Sequence, residues 1–179
     1  MMKEKGFTLI EVMVASFVFL IVIGAVIGLL TSVVQNQVSS LRDQKAVSET
    51  SYAMEYMSRS LRMAKKDEAG SCTGSLGQVY QISSGAKEIT FLNHYGKCQM
   101  FGAELLAGGG LRIYERRSTD EGFGGFLNPV YITSASVYTE EIIFKQSISA
   151  SGPPRITINI KAGPNPETLM NLQTTISQR

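Results

Sequence analysis

Two residues near the start of the chain, Gly6 and Glu11, have types and a spacing that point to chemistry. Gly6 follows a short leader containing Lys3 and Lys5 and directly precedes an apolar run, and between Val12 and Leu41 there is no charged residue. A glycine offers no side chain to a protease that takes the peptide in extended form. Cleavage after Gly6 would remove only residues 1–6, leave the apolar segment in the mature chain and make Phe7 the new N-terminus. An ordinary secretory signal is cut on the other side of its apolar region, after small residues. Glu11 places a lone carboxylate just inside the apolar segment, where ionisable groups are costly and usually functional.

Elsewhere the groups that perform catalysis are sparse. His94 is the only histidine, so a histidine-rich metal site is excluded, and a Ser-His-Asp triad would depend on that one side chain. Its place between Asn93 and Tyr95 reads as a surface turn. The carboxylate pairs Asp120-Glu121 and Glu140-Glu141 are sequence neighbours. Adjacent strand residues point to opposite faces, so neither pair need converge on one acid-base site. Gly108-Gly109-Gly110 lacks the Lys-Ser/Thr ending of a phosphate loop and reads as a turn, and Gly122, Gly124 and Gly125 around Phe123 suggest another loop. No cofactor or metal is called for, and the chain reads as a non-enzyme. Cys72 and Cys98 are the only cysteines. They are a candidate disulfide across the first strand pair in an oxidising compartment, and two unpaired small core residues are the alternative.

Residues 12–34, as a helix, would be about 35 Å long, enough for a hydrocarbon core of about 30 Å. Gly24 and Gly28 have the spacing of a close helix-packing motif. A plain single-pass anchor or an uncleaved signal explains the length and the apolarity, but not Gly6 and Glu11. From Gln35 to Lys66 there is neither Gly nor Pro. Ala46, Ala53, Met57, Leu61 and Ala64 recur at helical spacing, predicting an amphipathic continuation over 35–69 with Gly70 as its stop.

Beyond Gly70 the pattern changes to short β-rich runs. Val79–Ile82 and Glu88–Leu92 flank a turn at Ser83–Gly85, and Leu111–Tyr114 and Ile142–Ile148 are further candidates. Ile156, Ile158 and Ile160 alternate with polar residues, as do Met170, Leu172, Thr174 and Ile176. Pro153-Pro154 and Pro164-Asn165-Pro166 punctuate the strands. One long helix followed by strands predicts an α+β fold, the helix packed on an antiparallel sheet. The expected divisions are 1–6 leader, 7–34 membrane and assembly helix, 35–69 amphipathic helix and 70–179 β-rich head.

The stretch Gly6-Phe7-Thr8-Leu9-Ile10-Glu11-Val12 resembles the class III signal of type IV pilins and type II secretion pseudopilins. The resemblance covers roughly the first 30 residues. It implies cleavage between Gly6 and Phe7 by a prepilin peptidase, N-methylation of Phe7, and a role for Glu11 in subunit assembly. Implied partners are other pilin-like subunits through the N-terminal helix, the inner-membrane assembly platform, and lipid before assembly. The C-terminal residues 172–179, and the run from Val130 through Val137 to Phe144, resemble J-type minor pseudopilins and related minor pilins.

The formal charge falls from +2 to +1 when the leader takes Lys3, Lys5 and Glu4 with it. Bulk electrostatics therefore do not mark the chain as a nucleic-acid binder. The leader lysines favour a cytoplasmic N-terminus and a periplasmic or extracellular head, against which Arg42 and Lys45 pull. The expected function is a minor subunit of a type II secretion pseudopilus acting in assembly, priming or capping. A minor pilin of a type IV pilus, for adhesion, motility or DNA uptake, is the alternative within the class. A membrane-anchored extracellular enzyme is the alternative from another class.

Overall fold

The computed structural model describes residue 6 and residues 8–107, 109–119, 125–147 and 153–178. The chain divides into two compact units, residues 1–42 and 43–179. Helix α1 runs Leu9–Arg62. The strands are β1 (Tyr80–Ile82), β2 (Ile89–Leu92), β3 (Cys98–Leu105), β4 (Leu111–Arg117), β5 (Val130–Tyr131), β6 (Tyr138–Ser147), β7 (Arg155–Asn165) and β8 (Thr168–Ser177).

In the first unit the helical side chains from Leu9 to Leu41 are exposed without exception. Two hydroxyls in this segment find partners on their own helix. Ser16 Oγ donates to the Val12 carbonyl at 2.8 Å, and Thr31 Oγ1 to the Ile27 carbonyl at 2.9 Å. That is how a helix carries hydroxyls where no water is at hand.

The second unit is the expected α+β head. One antiparallel sheet has the order β1-β2-β3-β4-β6-β7-β8, with β5 paired to β4. The predicted helical stripe is its other layer: Ala46, Ala53, Met57, Leu61 and Ala64 are all buried, joined by Thr50 and Met54. They share a core with Phe91, Phe101, Ile113, Ile142, Phe144 and Ile158. Register explains the apolar alternation of the last three strands. Ile142 faces Ile160, Phe144 faces Ile158, and Ile156 faces Ile176, so each inward position meets another across the strand gap. Ile148, the expected end of β6, lies outside the described residues.

Three expectations need correction. Helix α1 ends at Arg62, short of residue 69, and Gly70 is not its stop. At the helix end the Tyr80 hydroxyl donates to the Leu61 carbonyl at 2.7 Å, and just past it Gln178 Nε2 donates to the Ala64 carbonyl at 2.9 Å. Lys65 N meanwhile donates to the Leu92 carbonyl at 2.8 Å, which draws the chain onto the sheet. Gly70, at φ 67°, serves the loop that follows.

Strand β3 was not predicted. Gly102 in its middle weakens the strand pattern, but a Cβ there would lie 2.7 Å from the Tyr114 hydroxyl on β4, so close strand approach requires glycine.

Glu140 and Glu141 do not point to opposite faces in burial terms. A register shift between Thr139 and Glu141 leaves both exposed, and Glu140 pairs with Lys161 at 2.5 Å.

Candidate functional site

The N-terminal site is built on the first turn of α1. The Thr8 carbonyl accepts from Glu11 N at 3.1 Å and Val12 N at 3.3 Å, which opens the helix directly behind the expected cleavage point. Thr8-Leu9-Ile10-Glu11 has the spacing of a capping box, and a carboxylate in the first turn interacts favourably with the helix dipole. This local signal was present in the sequence and missed there. It shows that Glu11 suits its position before any partner arrives. Gly6 is exposed, and space is open around the position its Cβ would take. Phe7 and the leader residues 1–5 lie outside the described residues. Gly24 and Gly28 are likewise exposed, with nothing within 4 Å of the position a Cβ would take on either.

Residues 1–27 match the family model of the prokaryotic N-terminal methylation motif. The chain is type IV pilin-like. Its motif implies processing by a prepilin peptidase and pilin-type assembly, and α1 gives this pilin-like chain an exposed apolar segment near the N-terminus that is long enough to cross a membrane. Neither a curated protein nor a solved structure shows a significant match to it.

In the head, Cys72 and Cys98 are bonded, their Cα atoms 5.4 Å apart. The bond ties the loop after α1 to the start of β3 and encloses the β1–β2 hairpin. On the chain-entropy account a loop of this size contributes about 3 kcal/mol.

Asp67 organises the same loop. Its carboxylate accepts from the backbone N–H of Ser71 (3.1 Å), Cys72 (2.7 Å) and Thr73 (2.8 Å) and from the Thr73 hydroxyl (3.1 Å). Burial alone would raise the Asp67 pKa, but these donors outweigh it and hold the carboxyl below its ordinary value.

A second polar network fastens α1 to the sheet. The Glu115 carboxylate accepts from Tyr56 Oη at 2.7 Å, from Gln99 Nε2 at 2.8 Å and from Arg117 Nε, while Arg117 Nη2 donates to Tyr56 Oη at 2.7 Å. Desolvation first, and then the Glu115 carboxylate, raise the Tyr56 pKa. Arg117 is a near neighbour of Glu115, two positions along β4, but Tyr56 and Gln99 come from other elements and no local pattern joins them to it.

His94 is exposed at a turn, its ring centroid 3.6 Å from that of Tyr95. Among the described residues no three metal-ligating side chains cluster. Asp120, Glu121, Gly122, Phe123, Gly124 and Gly108 lie outside the described residues.

Proposed function

We propose that the chain is a minor subunit of a type II secretion pseudopilus, acting in filament assembly, priming or capping, with its head on the periplasmic side of the cytoplasmic membrane. The carrying observation is the lone Glu11 carboxylate in the first turn of an exposed apolar helix, five positions after Gly6. An Asp at a helix centre costs about 2.5–3.5 kcal/mol on insertion scales, and a Glu near the end less. The cationic amine of Phe7 on an adjacent processed subunit lies at a similar membrane depth and offsets that cost. The pair also sets the axial register between subunits. The Cys72–Cys98 bond suits an oxidising compartment for the head. The resemblance of residues 130–144 and 172–179 to J-type subunits supports the minor role.

Glu11→Gln tests the reading, since it keeps the shape and removes the charge. The expected result is normal membrane insertion and cleavage with loss of crosslinks to neighbouring subunits. Wild-type crosslinking of this variant refutes the pairing. Deletion of the gene should abolish export of secreted proteins and leave surface pili intact. The opposite pattern would assign the chain to a type IV pilus instead.

A further inference from the structure

The head carries a surface groove that filament assembly through the N-terminal helix does not use. Three hollows of about 750, 330 and 200 Å³ adjoin one another, and Arg59 lines all three. The largest is bordered by Arg62, Lys65, Lys66 and His94, the middle one by Tyr95 and Arg117, and the smallest by Tyr52 and Tyr56. The hollows thus bring cations and aromatic rings together, the cations gathered in the largest and tyrosines in the other two.

The cations are not all neutralised within the head. Arg59 pairs with Glu55, Lys66 with Glu68 at 3.3 Å, and Arg117 with Glu115. Arg62 and Lys65, both exposed, form no ion pair among the described residues. Basic residues in a last helical turn complement the helix dipole, which accounts for Arg59 and Arg62. It does not account for Lys65 and Lys66, which lie past the helix end, nor for the rings. Tyr95 is 75% exposed and Tyr52 is 62% exposed. Tyr52 stacks on Tyr56 at 6.3 Å, and His94 packs on Tyr95. The chain's net charge of +2 conceals this cluster of open rings and unpaired cations.

We infer that this groove binds single-stranded nucleic acid, with phosphates on Arg62 and Lys65 and bases stacked on Tyr95 and Tyr52. Single strands are held by a basic track that follows the backbone and by aromatic faces that stack bases regardless of sequence. From Tyr52 to Arg62 the helix rises about 15 Å, room for about four phosphates at the per-strand spacing of duplex DNA. An acidic peptide would use the cations equally well but has no use for exposed rings. The rings are what favour nucleic acid.

The test is fluorescence anisotropy on the full-length chain in neutral detergent. The probes are a labelled oligo-thymidine of about 12 nucleotides, a duplex of the same length and a labelled polyglutamate. The expected result is saturable binding of the single strand, tighter than the duplex or the peptide and weakening as salt rises. Arg62→Ala with Lys65→Ala should reduce the slope of log affinity against log salt by about 1.4. Tyr95→Ala should weaken binding about five-fold or more. These side chains are exposed, so an unchanged melting temperature serves as the folding control. Absence of saturable binding, or wild-type affinity in Arg62→Glu with Lys65→Glu, overturns the inference. So does equal or tighter binding of the duplex. Polyglutamate binding as tightly as the oligonucleotide, with Tyr95→Ala without effect, assigns the groove to an acidic protein partner and overturns it as well.

Discussion

Removing the Asp67 carboxylate should unlatch the disulfide loop. Asp67 is 1% exposed, and two of its backbone donors, on Cys72 and Thr73, are buried with it. In Asp67→Ala both N–H groups lose their acceptor where water cannot replace it. Each such orphan costs about 1–3 kcal/mol, so the variant should lose about 2–6 kcal/mol. That is a large part of the 5–15 kcal/mol typical of a domain. Asp67→Asn should be milder, about 1–2 kcal/mol, because its amide oxygen can stay on Cys72 and Thr73 and forfeit only the half-buried Ser71 contact. The two variants also separate charge from shape. The folded Asp67 pKa lies below its ordinary 3.8. Its stabilisation is therefore complete above about pH 4 and is lost as pH falls through the lower folded value. Asp67→Asn should flatten that acid limb, leaving the part due to Glu49, whose pKa is also lowered: desolvation raises it, but bonds to Ser134 and the charge of Lys45 prevail. The assay is urea unfolding of a fragment spanning residues 37–179, with the disulfide intact, at a series of pH values. Stability of Asp67→Ala within about 0.5 kcal/mol of wild type would refute the account, because surface substitutions alone fall in that range.

Leu61 is fully buried under the sheet, so Leu61→Asp should destabilise the same fragment by several kcal/mol, and an unchanged melting temperature would contradict the packing. Gly6→Leu should leave the chain uncut, and intact mass showing normal removal of residues 1–6 would defeat the cleavage assignment. Burial pushes Tyr80 and Tyr114 up to about 12 from 10.0, the latter helped by Glu88. Their stabilisation is complete below about pH 10 and is lost as pH rises toward about 12. The melting temperature should therefore drop in step with tyrosinate absorbance, and a flat profile through this range would count against their burial.

The sequence by itself determined the features that need only neighbours along the chain. The processing glycine, the apolar segment and Glu11 are readable because a membrane helix satisfies its own backbone, so composition over a few turns is enough. The buried stripe from Ala46 to Ala64 and the alternation in β7 and β8 are legible for a similar reason: burial on one face imposes a period of 3.6 or 2. Only the tertiary structure decided where contacts distant in sequence override these patterns. Helix α1 stops at Arg62, where Tyr80 reaches the Leu61 carbonyl and Lys65 N turns to Leu92, and β3 tolerates Gly102 because Tyr114 fills the space above it. Glu115 became a buried hub because Tyr56, Gln99 and Arg117 converge on it from three elements. The basic and aromatic groove has the same origin. Arg59 and Tyr95 lie 36 positions apart, and bulk charge averages over what the fold brings together.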